Sequence, residues 1–263
     1  VKTLLWLLLC PLLLAAPADY GCNRPVRADF FPFGLAYWRD DAGQQHGSDF
    51  ELMQAIEQET GCRFEVSELS RVLIWKKFAA GQTDLVLSAL PTAERDRWGH
   101  FIALPYWGNR NQLVISRQLS RPATVEALLA HPQLKLGVVR SYRYGEPFWE
   151  QLIGQQRQRG VLVEAPDLES VYRLLKLGRI NALISAPMSY RLLLPRFGLQ
   201  NQVDTVDFSP DAPPLRAGLY LSHQRFSPAE IARWEALLNG PLQERFKSIL
   251  TRHLGPAPLA EQP

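Results

Sequence analysis

GQTDLVLSALPTAERDRWGHFIALPYW, residues 81–107, is the stretch that decides the fold. Leu85-Val86-Leu87 is a short apolar run of strand formers, and Ser88 stands at its C-terminal end. In open α/β sheets, ligands bind just beyond the carboxyl ends of strands. Pro91-Thr92 breaks the strand, and Thr92 is placed to cap a short helix carrying Glu94 and Arg95. A serine hydroxyl, free backbone N–H groups and one arginine then converge on a point. Such a point suits a carboxylate, because a guanidinium pairs with it through two parallel bonds. The competing reading is that Arg95 caps a helix or pairs with Asp84 or Glu94 on the surface.

Outward from this stretch, strands and helices alternate. Val26 to Asp29 is a short strand that opens into Phe30-Phe31-Pro32-Phe33. Ser48-x-x-Glu51 reads as a capping box for a helix ending near Thr60, stopped by Gly61. Residues 63–67 read as a strand and 73–80 as a helix. Gln112 to Ser116 (QLVIS) is expected to cross into a second lobe that repeats the pattern. There Thr124 and Asp167 cap helices, and Leu136–Val139, Val161–Glu164 and Ala182–Ile184 are strands. A helix is expected from Glu146 to Gln156 and another from Met188 to Leu194. Ala217 to Leu221 reads as the return crossing. Ser227-Pro228-Ala229-Glu230 is a strong helix start, and a last helix runs from Leu242 to Leu254. The alternation predicts an α/β protein of two lobes, each a mostly parallel sheet covered by helices, joined by two strands. The expected division is 19–113 and 219–255 for the first lobe, 114–218 for the second, and a frayed tail over 256–263.

The first eighteen residues read as a cleavable export signal. Lys2 supplies the positive end, Leu4 to Ala16 is almost wholly apolar, and Ala16-Pro17-Ala18 offers a small-x-small cleavage site. The apolar run is shorter than the roughly 20 residues that span a bilayer. The formal charge is +3, one less once Lys2 is removed, which is too weak to argue for nucleic acid or anionic lipid as a partner. Cys22 and Cys62 remain after cleavage, an even pair in an oxidising compartment. If the strands that follow them are parallel neighbours, both lie at one edge, and a disulfide is expected. Two separate buried thiols are the competing reading. The five histidines show no ligand spacing, so no metal is expected. No glycine-rich phosphate loop or Ser-His-Asp order appears, and no cofactor is expected.

Several short motifs resemble the family 3 extracellular solute-binding proteins, the amino-acid-binding class of ABC importers. These are Gly81-x-x-Asp84, Thr92-Ala93-Glu94-Arg95 and Pro105-Tyr106, with Gly47-Ser48-Asp49-Phe50-Glu51-Leu52 before them and Gly178-Arg179-Ile180-Asn181-Ala182 after. The resemblance covers most of Val26 to Gly255. It implies the type II periplasmic binding protein fold, a cleft that closes on a small solute, a monomer located in the periplasm, and delivery to an inner-membrane ABC permease. It also implies that Arg95 pairs with the ligand's carboxylate, with Ser88, Thr92 and nearby amides sharing the work.

The chain departs from the family pattern inside the implied cleft. Leu90 stands where a hydroxyl residue is usual, and Ser141-Tyr142-Arg143, preceded by Arg140, where Gly-Thr-Thr is usual. The ammonium-binding aspartate of the family falls at Ala186, which cannot pair with a cation. A buried ammonium without a carboxylate is costly. Either the ligand is not an ordinary zwitterionic amino acid, or another acid holds its amine, Asp29 being the nearest candidate. Phe31, Trp75 and Tyr142 are expected as cleft walls, with Tyr106 beside them. Two rival functions remain open. The fold also resembles periplasmic cyclohexadienyl dehydratases, whose general acid would here be Glu146 or Glu164. A ligand-sensing subunit for a membrane kinase or cyclase is the other.

Overall fold

The computed structural model describes residues 19–106, 110–119, 124–140, 142–145, 147–208 and 215–256. The proposed export signal, Trp107, Ser141, Glu146 and the last seven residues of the expected tail lie outside them.

Alternating apolar residues build the first half. In chain order it contains strand β1 (Val26–Phe30), the small hairpin β2 (Trp38–Arg39) and β3 (Gln45–His46), and helix α1 (Ser48–Thr60). Strand β4 (Phe64–Glu68), helix α2 (Arg71–Ala79), strand β5 (Leu85–Ala89) and strand β6 (Gly99–Ala103) follow. The second half contains β7 (Gln112–Ser116), α3 (Val125–Ala130), β8 (Leu136–Val139), α4 (Pro147–Gln158), β9 (Leu162–Ala165) and α5 (Leu168–Lys176). Its last elements are β10 (Ala182–Ser185), α6 (Pro187–Phe197) and β11 (Val203–Val206). The chain then returns through β12 (Gly218–Ser222), α7 (Pro228–Leu238) and α8 (Pro241–Leu254).

Two five-stranded sheets result, ordered β4-β1-β5-β12-β6 and β11-β7-β10-β8-β9. In each sheet four strands run one way, as the alternating pattern leads one to expect, and a single strand runs against them. β12 lies antiparallel between β5 and β6, and β7 antiparallel between β10 and β11. The reason is topological. The chain leaves each sheet at the cleft end of its strands, so the strand it forms on arrival starts at the cleft and runs away from it.

Period-2 alternation sends each strand's side chains to opposite faces. Leu85 and Leu87 pack with α1, α7 and α8 around Ile56, Trp234 and Phe246, while Val86 joins Ile74 and Phe78 of α2 and Tyr220. In the second sheet Ile184 packs beside Trp149 and Leu152 of α4, and Leu183 beside Val171 and Tyr172 of α5. The halves also touch directly. The Leu35 N–H donates to the Met188 carbonyl at 2.8 Å, and Met188 is buried in the core of the first half.

Helix ends follow local chemistry in most places. Ser227 and Glu230 form the expected reciprocal capping box, and Asp167 accepts from the Ser170 N–H at 2.7 Å. The box expected at Ser48 does not form. Gly47 occupies the cap position, the Ser48 hydroxyl is buried without a partner, and Glu51 turns instead to Arg252 and His253 of α8. The helix expected after Thr92 shrinks to a single 3-10 turn, Arg95–Arg97, with the Thr92 hydroxyl accepting from the Arg95 N–H at 3.2 Å.

Asp84, just before β5, has a side chain only 1% exposed. Arg24 Nη1 donates to it at 2.9 Å, Arg27 Nη2 at 2.7 Å and the Arg27 backbone N–H at 2.9 Å. Arg27 also donates to the Gly81 carbonyl at 2.7 Å. The Gly-x-x-Asp motif is therefore a structural clasp at the end of the sheet remote from the cleft, and it leaves Arg95 without this partner.

Cys22 and Cys62 form a disulfide with Cα atoms 5.3 Å apart. It lies where β1 and β4 begin, as their parallel register from Val26 opposite Phe64 requires. The bridge spans a sequence separation of 40. Removing it in the Cys22→Ser, Cys62→Ser double variant is expected to cost about 3 kcal/mol. That corresponds to roughly 6–12 °C in thermal melting of a chain this size, against wild type and wild type under reductant. Equal melting points would show that the bridge closes no entropy-rich loop.

Candidate functional site

The site grows from the end of β5. Ser88 has φ 48°, the one non-glycine residue among the described residues in the left-handed region. Such a conformation costs on the order of 1 kcal/mol for a residue bearing a Cβ, and strained backbone tends to gather at functional sites. Its carbonyl accepts from Arg71 Nη2 at 2.9 Å, and its hydroxyl is buried beside the Asp49 carboxyl without completing a well-formed hydrogen bond. Behind it, the Tyr106 hydroxyl donates to Asp49 at 2.6 Å. Burial pushes the Asp49 carboxyl up to about 6, against the pull of Ser88, Tyr106 and the Arg71 charge.

The turn after Pro91 carries Arg95 back over the strand end. It is pinned to β12 by the Tyr220 hydroxyl, which accepts from the Thr92 N–H at 3.2 Å and donates to Asp96 at 2.6 Å. The Arg95 guanidinium lies 3.9 Å from the centre of the Trp75 ring and donates to the Leu90 carbonyl at 2.7 Å. Burial lowers it to about 10, so it stays charged at neutral pH. Leu90, which lacks the hydroxyl usual at its position, thus contributes its carbonyl to hold the arginine.

Arg71 opens α2 behind the Ser70 cap. Its guanidinium sits 4.0 Å from the Phe31 ring centre and 5.5 Å from that of Trp75. Burial, reinforced by the charge of Arg95, pulls it down to about 9. It too remains a cation at pH 7.

The second half closes over these groups. Tyr142 meets Phe31 and Phe33 edge to face, at centroid distances of 6.0 and 6.2 Å. Arg143 reaches the same cavity. Asn111 borders it and donates to the Tyr144 carbonyl at 2.7 Å. Ser185, Ala186 and Ser189 line the far side from the junction of β10 and α6, with Ser185 held by the Tyr172 hydroxyl at 2.8 Å. About 60 Å³ of the cavity is open to the centre of a water molecule. Roughly 10–15 Å³ suffices for one water, so the space holds a few waters or a small solute.

Of the residues singled out from sequence, Ser88, Arg95, Phe31, Tyr142, Arg143 and Ala186 border this cavity. Trp75 lies under Arg95, and Thr92 faces an outer groove with it. Arg140 is exposed and does not border the cavity, and Tyr106 is buried behind Ser88. Ser141 lies outside the described residues. Asp29 requires correction. Its carboxylate pairs with Lys77 at 2.9 Å and accepts from the Thr83 hydroxyl, away from the cavity. β1 runs on to Phe30, and Val26, Ala28 and Phe30 fill the core on one face, so alternation sends Asp29 to the other. Glu164 is exposed and paired with Arg157 at 2.7 Å. Among the described residues, no aspartate or glutamate lines the cavity.

The sequence pattern of the bacterial extracellular solute-binding proteins, family 3, matches residues 25–236. The chain belongs to this family. No curated protein sequence matches it significantly. Solved structures share the fold of this family 3 protein at low identity. A histidine kinase sensor domain with similarity to periplasmic binding proteins aligns with TM-score 0.72 and 18% identity, over 90% of this chain and 99% of its own. The amino acid ABC transporter substrate-binding protein AbpA of Streptococcus pneumoniae, bound to L-arginine, gives 0.69 and 20%, over 88% and 94%. An ancestral amino-acid-binding protein, a precursor of cyclohexadienyl dehydratase, gives 0.65 and 14%, over 88% and 95%. These likenesses establish the type II periplasmic binding protein fold. No helix among the described residues is long and apolar enough to cross a membrane.

Proposed function

We propose that this family 3 protein is an exported receptor whose two lobes, 19–113 with 219–255 and 114–218, close on a small carboxylate or other anionic solute lacking an α-ammonium group. One observation carries the reading: Arg71, Arg95 and Arg143 border the cavity, and among the described residues no acid does. Arg95 and the Ser88 hydroxyl are the proposed carboxylate anchors, Phe31 and Tyr142 the proposed walls. Release to an inner-membrane ABC permease from a monomer in the periplasm fits the family. The dehydratase reading needs a general acid at the reacting centre. Glu164 is engaged elsewhere, Glu146 lies outside the described residues, and no described lining residue is a carboxylic acid.

The test is thermal melting of the mature protein, unfolded and refolded to shed carried-over ligand, with amino acids and their des-amino analogues. Ligand at a hundred times its Kd stabilises by about 2.7 kcal/mol, or roughly 5–10 °C here. Des-amino carboxylates are expected to give that shift and standard amino acids not. Stabilisation by amino acids, with none from the analogues, sinks the proposal.

A further inference from the structure

Arg71 is the group the carboxylate anchor leaves unexplained. Its Nη2 is spent on the Ser88 carbonyl, but Nη1 is buried with no partner. Arg95 is fixed separately, on the Leu90 carbonyl. The anchoring residues are two apart in the chain, so their Cα atoms lie at most about 7 Å apart. Each guanidinium has its closest ring at about the same distance, Phe31 for Arg71 and Trp75 for Arg95. Arg71 also lies 5.5 Å from the centre of the Trp75 ring, so the two separately held cations stand side by side.

Charge balance points the same way. Removing an ion from water without a counter-charge is costly. Asp49 is near enough for Arg71 to feel its charge. No salt bridge joins the two side chains and Arg71 Nη1 meets no acceptor, so Asp49 offsets the cation only from a distance. One carboxylate on Arg95 would still leave Arg71 without a counter-charge in contact and its Nη1 unpartnered. Arg143 is exposed and can be balanced by water and salt.

We infer that the solute carries two carboxylates, one held by Arg95 with the Ser88 hydroxyl and the second by Arg71 between Phe31 and Tyr142. This rests on the anionic-solute reading above and adds the second charge to it. A short dicarboxylate with an apolar middle suits the walls, since Leu90, Ile184 and Leu215 line the cavity along with the polar groups. Arg71 would then set specificity, because a solute lacking the second carboxylate leaves it unpaired.

The test is titration calorimetry with succinate, glutarate and adipate, each against butyrate, pentanoate and hexanoate, on wild type, Arg71→Met and Arg95→Met. Methionine keeps much of the arginine stem's bulk without the charge. Hydrogen bonds to a charged group are worth about 1.5–3 kcal/mol, which is roughly ten- to hundredfold in affinity. At least one diacid is expected to bind about tenfold or more tighter than its monoacid, and Arg71→Met to reduce that preference to a few-fold while monoacid binding persists. Equal binding of diacid and monoacid by wild type overturns the second-carboxylate site and leaves the anionic-solute reading standing. So does loss of monoacid binding in Arg71→Met, which would mean one carboxylate shared by both arginines. Absence of binding by every acid overturns both.

Discussion

Arg95→Ala is expected to weaken carboxylate binding by at least about 30-fold. Removing one member of a buried, hydrogen-bonded charge pair costs about 2–5 kcal/mol, and each 1.4 kcal/mol is about tenfold. In the ligand-free protein Arg95 has no carboxylate partner among the described residues. It is held by the Leu90 carbonyl and the Trp75 ring. Those contacts are worth on the order of 1 kcal/mol each, and removing a buried cation offsets part of their loss. The ligand-free variant should therefore melt within a few degrees of wild type. At a hundred times the wild-type Kd, the ligand-induced rise in melting point should shrink to about a third or less of the wild-type rise. Calorimetry with a carboxylate that binds wild type reads both effects. Undiminished affinity in a folded variant would remove Arg95 from the site.

Asp84→Ala is expected to destabilise the fold strongly. It strips the common acceptor from Arg24, Arg27 and the Arg27 N–H, and removes the nearest counter-charge of Arg225, 4.0 Å away. Breaking a buried pair from one side costs about 3–5 kcal/mol. Arg24 can reach water, with 45% of its side chain exposed, which favours the lower end. Burial alone would raise the Asp84 carboxyl. The hydrogen bonds from Arg27 and Arg24 overcome that and hold it below its ordinary value. A carboxyl lowered by folding contributes stability that is present above its unfolded value near 3.8 and is lost as pH falls through the folded value. Wild type should lose this contribution on acidification below about pH 4, and Asp84→Ala should show a smaller drop over that window. Melting points of the two proteins between pH 3 and 7 decide it. Parallel profiles would mean that Asp84 is not the group being protonated.

What the sequence reveals is what depends on neighbours in the chain. The strand Leu85–Ala89, the proline-threonine break and the caps at Ser227 and Asp167 each involve residues within a few positions of one another. Arg95 was legible for the same reason, since the turn that aims it is local. Arg71 was not. Reading the helix from Leu73 left it in a loop, and its significance comes from Phe31, which belongs to the segment after β1. Asn111, Ser185 and Ser189 reach the cavity only because the second sheet is assembled around β7. β6 and β11 passed unnoticed. GHFIA lacks clean alternation, and VDTV is shorter than most strand signals. Ser48 shows the limit of a local rule. Its spacing to Glu51 is that of a capping box, but α8 offers Glu51 the side chains of Arg252 and His253 at longer range.

Gly34 has φ 53°, and a Cβ built on it would stand 2.3 Å from the Met188 carbonyl oxygen. Any side chain there pays the same local backbone strain whether or not the lobes are together, but it collides with Met188 only when they meet. On the proposed function, in which the lobes part to admit solute, Gly34 is thus a wedge position. A single methyl would bias the population toward the parted form without touching a solute contact, and so separate the work of shutting from the work of holding.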